Sequence, residues 1–138
     1  MNLAIWDIES SSASTDFGSI IEIGGVLVDE NFKEKDRFNL RCRLPEGEIF
    51  QAMALIVNKT SIKKLTQANL SHYQMLAEVE KIFKKWSPAI FLGWSNIGFD
   101  DEMIRKEFFK GIRYPYLTNA APNTRHDGIN IARAAYAV

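Results

Sequence analysis

The sequence predicts an α/β fold in which one mixed β-sheet is flanked by helices. Four short runs have the apolar or alternating pattern of strands, at 2–9, 20–29, 37–44 and 89–94. Two longer segments, 71–86 and 99–109, space their apolar residues as helices do. Strand, hairpin, helix, strand and helix therefore follow one another along the chain, which is the order of a layered α/β domain.

The first predicted strand, NLAIWDIE at 2–9, contains two acidic residues, Asp7 and Glu9. Residues two apart on a strand point to the same face, so Asp7 and Glu9 lie side by side, in line with Leu3 and Ile5. Like charges held close at the edge of an apolar layer raise each other's pKa unless a cation or a proton intervenes. The Ser-rich stretch 10–15 then forms a loop.

The next two strands are predicted to form an antiparallel hairpin. The run IIEIGGVLVD at 20–29 is apolar and rich in β-branched residues, and Glu30 and Asn31 follow it with turn chemistry. Between 37 and 44 apolar residues alternate with arginine and asparagine, which gives the second strand one polar, basic face. Pro45 ends this strand.

Two helices and a strand complete the predicted layer. Ser71 and Gln74 resemble a capping box at the start of the first helix, and Pro88 stops it. The apolar run 89–94 is then a buried strand, and Gly111 ends the helix that follows. Because a strand–helix–strand crossover implies parallel pairing, the strand at 89–94 is expected to lie parallel to the first one.

Parallel pairing would bring Asp100 towards Asp7 and Glu9, since the carboxyl ends of parallel strands meet at one edge of the sheet. Carboxylate oxygens without nearby His or Cys suit Mg²⁺ or Mn²⁺, and two such ions can support phosphodiester cleavage. An Asp in the first turn of a helix is more often a favourable partner of the helix dipole, and Asp101 and Glu102 are assigned to that role.

Composition limits the classes of protein to consider. With 138 residues and 46% hydrophobic residues, the chain is one globular domain and not a disordered segment. We find no signal peptide and no apolar run long enough to span a bilayer, so a cytoplasmic location is expected. The single cysteine, Cys42, cannot form an internal disulfide, which fits a reducing compartment.

Equal numbers of basic and acidic residues, 17 of each, hide an asymmetry along the chain. The first 32 residues contain six acidic residues and no Lys or Arg. An acidic pocket within a mildly basic surround suits a cation-dependent enzyme that acts on a polyanion. Charge counts alone favour the simpler interpretation of a solvated acidic loop and ordinary surface lysines.

Three segments of the chain resemble the DEDD exonucleases, and most closely their exonuclease I branch. They are WDIESSS at 6–12, GWSNIGFDDEMIRKEFF at 93–109 and NTRHDGINIARAAYA at 123–137. The resemblance implies a ribonuclease H-like fold and removal of nucleotides from the 3′ ends of single-stranded DNA, with two divalent metal ions, Mg²⁺ or Mn²⁺.

The resemblance also implies roles for individual residues. Asp7 resembles the carboxylate that bridges both metals, Glu9 a ligand of the metal that holds the attacking water, and Asp100 the ligand of the second metal. Three residues are implied to contact the substrate, namely Ser10, Ser11 and Asn96. Phe99 is expected to pack in the interior. Trp94, Tyr114 and Tyr116 could stack on bases, although such aromatic residues more often belong to the core.

The third motif of this family, a His and an Asp five residues apart on a last helix, is absent from the sequence. Five residues after His126 stands Ile131, and His72 has no acidic partner at that spacing. Both histidines are expected to be surface or capping residues, and Asp127 an N-cap. The helical pattern continues to Val138, so residues 1–138 are interpreted as an exonuclease domain truncated before that motif, without the fold's C-terminal helix.

Three functions remain open at this point. The first is a 3′–5′ exonuclease of single-stranded DNA, weak or inactive as this chain alone because the general base is missing. The second is an exonuclease of RNA or short oligonucleotides, and the third is a catalytically incomplete module that binds nucleic acid or protein. Truncation would also expose apolar sheet surface and so favour self-association.

Overall fold

The computed structural model describes residues 1–137 of the chain. Val138, to which the predicted last helix extends, lies outside the described residues. Five strands form the sheet: β1 (Asn2–Ser10), β2 (Ile20–Val28), β3 (Glu34–Arg41), β4 (Ala89–Gly93) and β5 (Thr124–Asp127). Five helices accompany it: α1 (Ala52–Val57), α2 (Ile62–Thr66), α3 (His72–Trp86), α4 (Asp100–Lys110) and α5 (Gly128–Tyr136).

The strands lie in the order β3-β2-β1-β4-β5. β1, β2 and β3 pair antiparallel, whereas β4 runs parallel to both β1 and β5. The mixed sheet and the parallel crossover from β1 to β4 are confirmed. Strand β5 was not among the strands predicted from the sequence.

The main core lies on one face of the sheet, against α3 and α4. Trp6 of β1 and Phe91 of β4 contact Phe83 of α3, with ring centroids 5.6 and 4.9 Å apart. Met103 and Phe108 of α4 belong to the same buried cluster. Apolar burial of this kind supplies most of the driving force for folding. It also fixes α4, and with it Asp100, relative to β1.

Helix ends follow the sequence signals. Ser71 and Gln74 form a capping box at the start of α3, because the Ser71 side chain accepts from the Gln74 N–H and the Gln74 side chain accepts from the Ser71 N–H. Gly111 caps α4, and Asp127 caps α5 by accepting a hydrogen bond of 3.0 Å from the Ile129 N–H. The capping predictions for Ser71 and Asp127 are confirmed.

The opposite face of the sheet, which we call the open face, carries the side chains of Leu3, Ile5, Asp7, Glu9 and Leu92. These residues are half-buried or exposed, and Ile5 is 41% exposed. Helix α5 has no buried residue. Among residues 1–137, no helix is both long enough and apolar enough to cross a membrane.

Candidate functional site

Asp7 and Glu9 project from β1 onto the open face, as the alternation of the strand predicts. Asp7 pairs with Gly24 of β2, and Glu9 pairs with Glu22. Asp7 is exposed and Glu9 half-buried, whereas the intervening Ile8 packs into the core. Since Gly24 has no side chain, the β2 residue opposite Asp7 leaves space beside its carboxylate.

Asp100 is the first residue of α4 and is only 6% exposed. Its pKa lies well above its ordinary range because burial disfavours the carboxylate and because the negative charge of Asp7 lies close to it. A hydrogen bond with Asp7 and the charges of Asp101 and Glu9 act in the same direction. The structure therefore brings the three predicted carboxylates, Asp7, Glu9 and Asp100, into one electrostatic group.

A buried turn around Asn96 holds Asp100 in this position. The Asn96 carbonyl accepts hydrogen bonds from the N–H groups of Phe99 and Asp101, at 3.1 and 3.0 Å. Its side-chain amide donates to Asp101 Oδ2 at 3.0 Å, and the residue is fully buried. Asn96 therefore has a structural role in this turn, and its predicted contact with substrate stays a prediction.

Asp101 has a different environment from the one that the sequence suggested. It is 1% exposed and accepts hydrogen bonds from Asn96 and from the Thr118 hydroxyl, the latter at 3.2 Å. Burial raises the pKa of Asp101 to about 6, although the charge of Arg125 and the bond from Thr118 oppose the rise. Asp101 is thus an internal anchor of the turn. Glu102, in contrast, pairs with Arg105 and Lys106 on the surface of α4.

A fourth carboxylate, that of Glu22, lies beside the site and was not predicted from the sequence. It lies directly across the ladder from Glu9 and is held by Arg41 and by the side-chain amide of Asn39, at 3.0 Å from the latter. Burial, Asp7 and Glu22 raise the pKa of Glu9, while Arg41 lowers it. Glu22 and Gly24 are two residues apart on β2 and therefore lie on the same face of the sheet. This alternation is the sequence signal from which Glu22 could have been found.

The donor set fits a hard divalent cation, because it consists of carboxylate oxygens on neighbouring backbone elements. Burial and the neighbouring negative charges of Asp7 and Glu9 disfavour the ionised form of Asp100, which a bound cation would favour. Within residues 1–137, however, no three His, Cys, Asp or Glu side chains are already gathered at ligand positions around one point. The structure thus brings the carboxylates together without assembling a complete coordination shell.

Ser10 and Ser11 follow Glu9, and their hydroxyls are used in different ways. Ser10 donates to the Ser12 carbonyl at 2.7 Å and lines a cavity next to Glu9. Ser11 is fully buried, donates to Glu48 and does not line that cavity. The structure therefore leaves Ser10 at the candidate substrate site and turns Ser11 towards the protein interior.

The cavity next to Glu9 has a volume of about 260 Å³. Met53 and Val57 of α1 and Phe99 supply apolar walls, while Ser10 and Asn58 supply polar groups. Phe99 also packs against the main core, as expected. The cavity thus combines an apolar surface for a flat ring with hydrogen-bonding groups close to a carboxylate.

Neither histidine lies among the three carboxylates. His126 is exposed on β5, two strands away from β1, in agreement with its predicted surface location. His72 is half-buried, with 17% of its side chain exposed, and its Nε2 contacts the carboxylate of the buried Glu107. This partner was not predicted, because it comes from α4 and is not apparent from spacing along the chain.

Three aromatic residues, for which stacking on bases and a place in the core were both open, are exposed. Trp94, Tyr114 and Tyr116 are 65%, 53% and 47% exposed, and the rings of the two tyrosines lie 6.0 Å apart. Trp94 also lines a cavity of about 650 Å³ that reaches Asp7 across the open face. Trp94 therefore provides accessible aromatic surface in the cavity that reaches Asp7.

Comparison with known proteins relates the whole chain to one kind of nuclease. The chain is 21% identical over 140 residues to exodeoxyribonuclease I of Buchnera aphidicola subsp. Schizaphis graminum. This match covers 100% of the chain and 29% of that protein. Its identity to exodeoxyribonuclease I of Haemophilus influenzae is 24% over 136 residues, which is 97% of this chain and 28% of that protein. No model of a known protein family matches the sequence.

Solved structures give the same result for the fold. E. coli exonuclease I in complex with a dA16 oligonucleotide superimposes with a TM-score of 0.90 at 20% identity, over 99% of this chain and 30% of that one. A complex of ExoI with SSB-Ct matches with a TM-score of 0.90 at 19% identity. The chain thus spans about 30% of the length of these proteins. The chain thus has the fold of this exonuclease I structure, a mixed five-stranded sheet of ribonuclease H-like type, and its sequence is similar to that of exodeoxyribonucleases I.

Proposed function

We propose that the chain is the nuclease portion of a metal-dependent 3′–5′ exonuclease that hydrolyses phosphodiester bonds of single-stranded DNA. The observation that carries this proposal is the placement of Asp7 and Glu9 on one face of β1 with the nearly buried Asp100 at the start of α4, where burial of Asp100 and the negative charges of Asp7 and Glu9 raise its pKa. Buried like charges are costly unless a cation compensates them. The likeness to exonuclease I supports the choice of reaction and substrate.

Asp7, Glu9 and Asp100 would hold two divalent ions, Mg²⁺ or Mn²⁺. Asp7 would contribute to both ions, Glu9 to the one that holds the attacking water and Asp100 to the other. When bound, such ions stabilise developing negative charge and lower the pKa of water. The burial of Asp100 keeps water away from one side of this group, which strengthens electrostatic interactions there.

The cavity beside Glu9 would take the terminal nucleoside of the strand. Its apolar walls, formed by Met53, Val57 and Phe99, suit the faces of a base, and Ser10 and Asn58 suit a sugar hydroxyl. These contacts do not read base edges, which fits a nuclease that acts on any sequence. The exposed Trp94, Tyr114 and Tyr116 would contact the rest of the strand.

The same site also supports a second candidate, a module that binds nucleic acid without cutting it. In residues 1–137 neither histidine lies among the carboxylates, and the ligand shell is incomplete. General base catalysis contributes about 10² to 10⁴ fold in rate, so the chain alone would be weak or inactive as a nuclease.

Incubation with 5′-labelled single-stranded DNA and Mn²⁺ tests the proposal, with Asp7→Asn as the control. We expect a weak ladder of fragments shortened from the 3′ end, which the Asp7→Asn variant does not produce. The same ladder in both proteins would refute the assignment of the site. Binding of DNA without any ladder would favour the non-cutting module, and faster cleavage of RNA of the same sequence would favour the RNA exonuclease.

A further inference from the structure

The loop that follows Glu9 is not held by the sheet. The register between β1 and β2 shifts between Glu9 and Ser10, and pairing of the two strands ends at Ser10 and Ile20. Glu9 itself is held by its pairing with Glu22, whereas the cavity wall after it depends on contacts outside the ladder. Those contacts come from the segment 48–58, on the far side of the cavity.

The structure assigns to Glu48 the role of a positioning residue that fixes this loop. Its carboxylate bridges the two ends of the loop, because one oxygen accepts from the Ser11 hydroxyl and the other from the Ser19 hydroxyl. This inference rests on the proposed function and adds to it a residue that determines the shape of the substrate site. The motifs of the sequence do not point to Glu48.

Ser11 and Ser19, at the two ends of the loop, also hydrogen-bond to each other. We call this pair of residues the neck of the loop. The Ser11 N–H donates to the Ser19 carbonyl at 2.9 Å, and the Ser19 N–H donates to the Ser11 hydroxyl at 2.9 Å. Both residues are buried. Each hydroxyl proton is thus directed to Glu48, and each charge-assisted bond is stronger than a neutral one.

Residues just after Glu48 connect the neck to the cavity. The Gln51 N–H donates to the Ser11 carbonyl at 2.8 Å, and the Asn58 side chain donates to the Ser10 carbonyl at 2.8 Å. Gln51 and Asn58 both line the cavity beside Glu9. A shift of the neck would therefore move two walls of the cavity together with the backbone that follows Glu9.

A carboxylate suits this position better than an amide. Its two oxygens accept from two hydroxyls at once, whereas a glutamine has one oxygen and an NH₂ group that donates. The Ser11 hydroxyl already accepts from the Ser19 N–H, so Glu48→Gln leaves one hydroxyl without a good acceptor. Glu46→Gln is the matched control, because Glu46 is exposed and no side-chain bond to it occurs within the part of the chain that the structure describes.

The test measures the affinity for a 5′-fluorescein oligothymidylate by anisotropy in the presence of Ca²⁺, well below the unfolding transition of each protein. We expect Glu48→Gln to raise the Kd by about tenfold and Glu46→Gln to leave it unchanged. Circular dichroism verifies that each variant is folded. A lower unfolding temperature with an unchanged Kd would mean a purely structural role and would overturn the inference.

Two further proteins keep the outcome decisive. Ser19→Ala removes only one partner of Glu48, so it should raise the Kd in the same direction by a smaller factor, and it replaces Glu48→Gln if that variant does not fold. Wild-type binding that persists in Asp7→Asn, or no binding at all, would overturn the proposed function and this inference with it. Wild-type binding that depends on Asp7, with equal Kd values for both glutamine variants, would overturn the inference alone.

Discussion

Gly93, at the end of β4, gives the Asn96 turn the space it needs. A Cβ atom on Gly93 would lie 2.5 Å from Cγ and 2.6 Å from Cβ of Asn96, much closer than such atoms approach in proteins. We expect Gly93→Ala to lower the free energy of unfolding by about 1–3 kcal/mol, as overpacking does. Because Asn96 fixes the start of α4, the variant should also displace Asp100 and weaken oligonucleotide binding.

Gly98→Ala is the control for this change, since a Cβ on Gly98 meets no atom within 4 Å. Its free energy of unfolding, measured by urea denaturation, should stay within about 0.5 kcal/mol of the wild type. Equal effects of the two substitutions would mean that the close packing of Gly93 against Asn96 does not determine the turn.

The sequence allowed Asp7, Glu9 and Asp100 to be placed together because strand alternation and parallel pairing are regular rules of backbone geometry. The same rules say nothing about side chains in loops. Ser11 and Asn96 were assigned to substrate from their place in the motifs, yet their partners, Glu48 and Asp101, make them internal residues. Such partners depend on how loops pack, which spacing does not reveal.

At the scale of elements, Glu80 connects α3 to the segment that follows α4. Its carboxylate accepts from Lys84 Nζ at 2.7 Å and from Arg113, whose guanidinium also lies 4.9 Å from the ring centroid of Tyr73. Hydrogen bonds from Lys84 and Arg113 hold the pKa of Glu80 below its ordinary value, although burial opposes them. The charged form of Glu80 is therefore favoured by folding.

A carboxyl group whose pKa is lowered on folding stabilises the protein at pH values above its pKa in the unfolded state. For Glu80 the unfolded-state pKa is 4.5, so its contribution to stability is lost progressively as the pH falls below 4.5. We expect Glu80→Gln to lower the free energy of unfolding by about 1 kcal/mol at neutral pH. The difference from the wild type should shrink as the pH falls from 4.5 through the lowered pKa of the folded state. Urea denaturation at neutral pH and at the lowest pH where the protein stays folded measures it.

Glu78→Gln is the matched control on the same helix, because Glu78 pairs with Lys81 on the exposed surface, where the two side chains are 45% and 70% exposed. Its effect should be smaller at neutral pH. A loss for Glu80→Gln that is the same at both pH values would show that packing, and not charge, accounts for it.

Helices and strands with a strong local sequence pattern were predicted correctly, whereas short elements without such a pattern were not. The capping box of α3 and the apolar run of β4 are local in the sequence, so their positions follow from it. Strand β5 has only four residues, and it is a strand because it pairs with β4. The short helices α1 and α2 lie in a segment without clear periodicity, although α1 supplies one wall of the candidate cavity.

At the scale of the whole molecule, two surfaces have no partner within the described residues. They are the apolar part of the open face, around Ile5 and Leu92, and helix α5, which buries no residue. Exposed apolar surface of this kind is typical of interfaces. Self-association through the open face stays a prediction. The relatives are about three times as long as this chain, so additional residues of such a protein are a second candidate to pack against this surface.

Binding of a divalent ion to the carboxylate group should stabilise the entire fold. A ligand that binds only the folded state adds about 1.4 kcal/mol at ten times its Kd, which for a domain of this size raises the unfolding temperature by several degrees. We therefore expect Mg²⁺ or Mn²⁺ to raise the unfolding temperature of the wild type. In Asp7→Asn the rise should be much smaller, because Asp7 would serve both ions.

The comparison must use the shift that the metal causes and not the unfolding temperature itself. Asp7→Asn removes one charge from a group of repelling carboxylates, so the metal-free variant should be at least as stable as the wild type. Glu30→Gln is the control, because it removes one charge from a side chain that is 79% exposed, in the turn between β2 and β3. This variant should keep the full rise in unfolding temperature that the metal causes. If Asp7→Asn and Glu30→Gln respond to the metal equally, the ion binds elsewhere, and the carboxylates of β1 and α4 are not a metal centre.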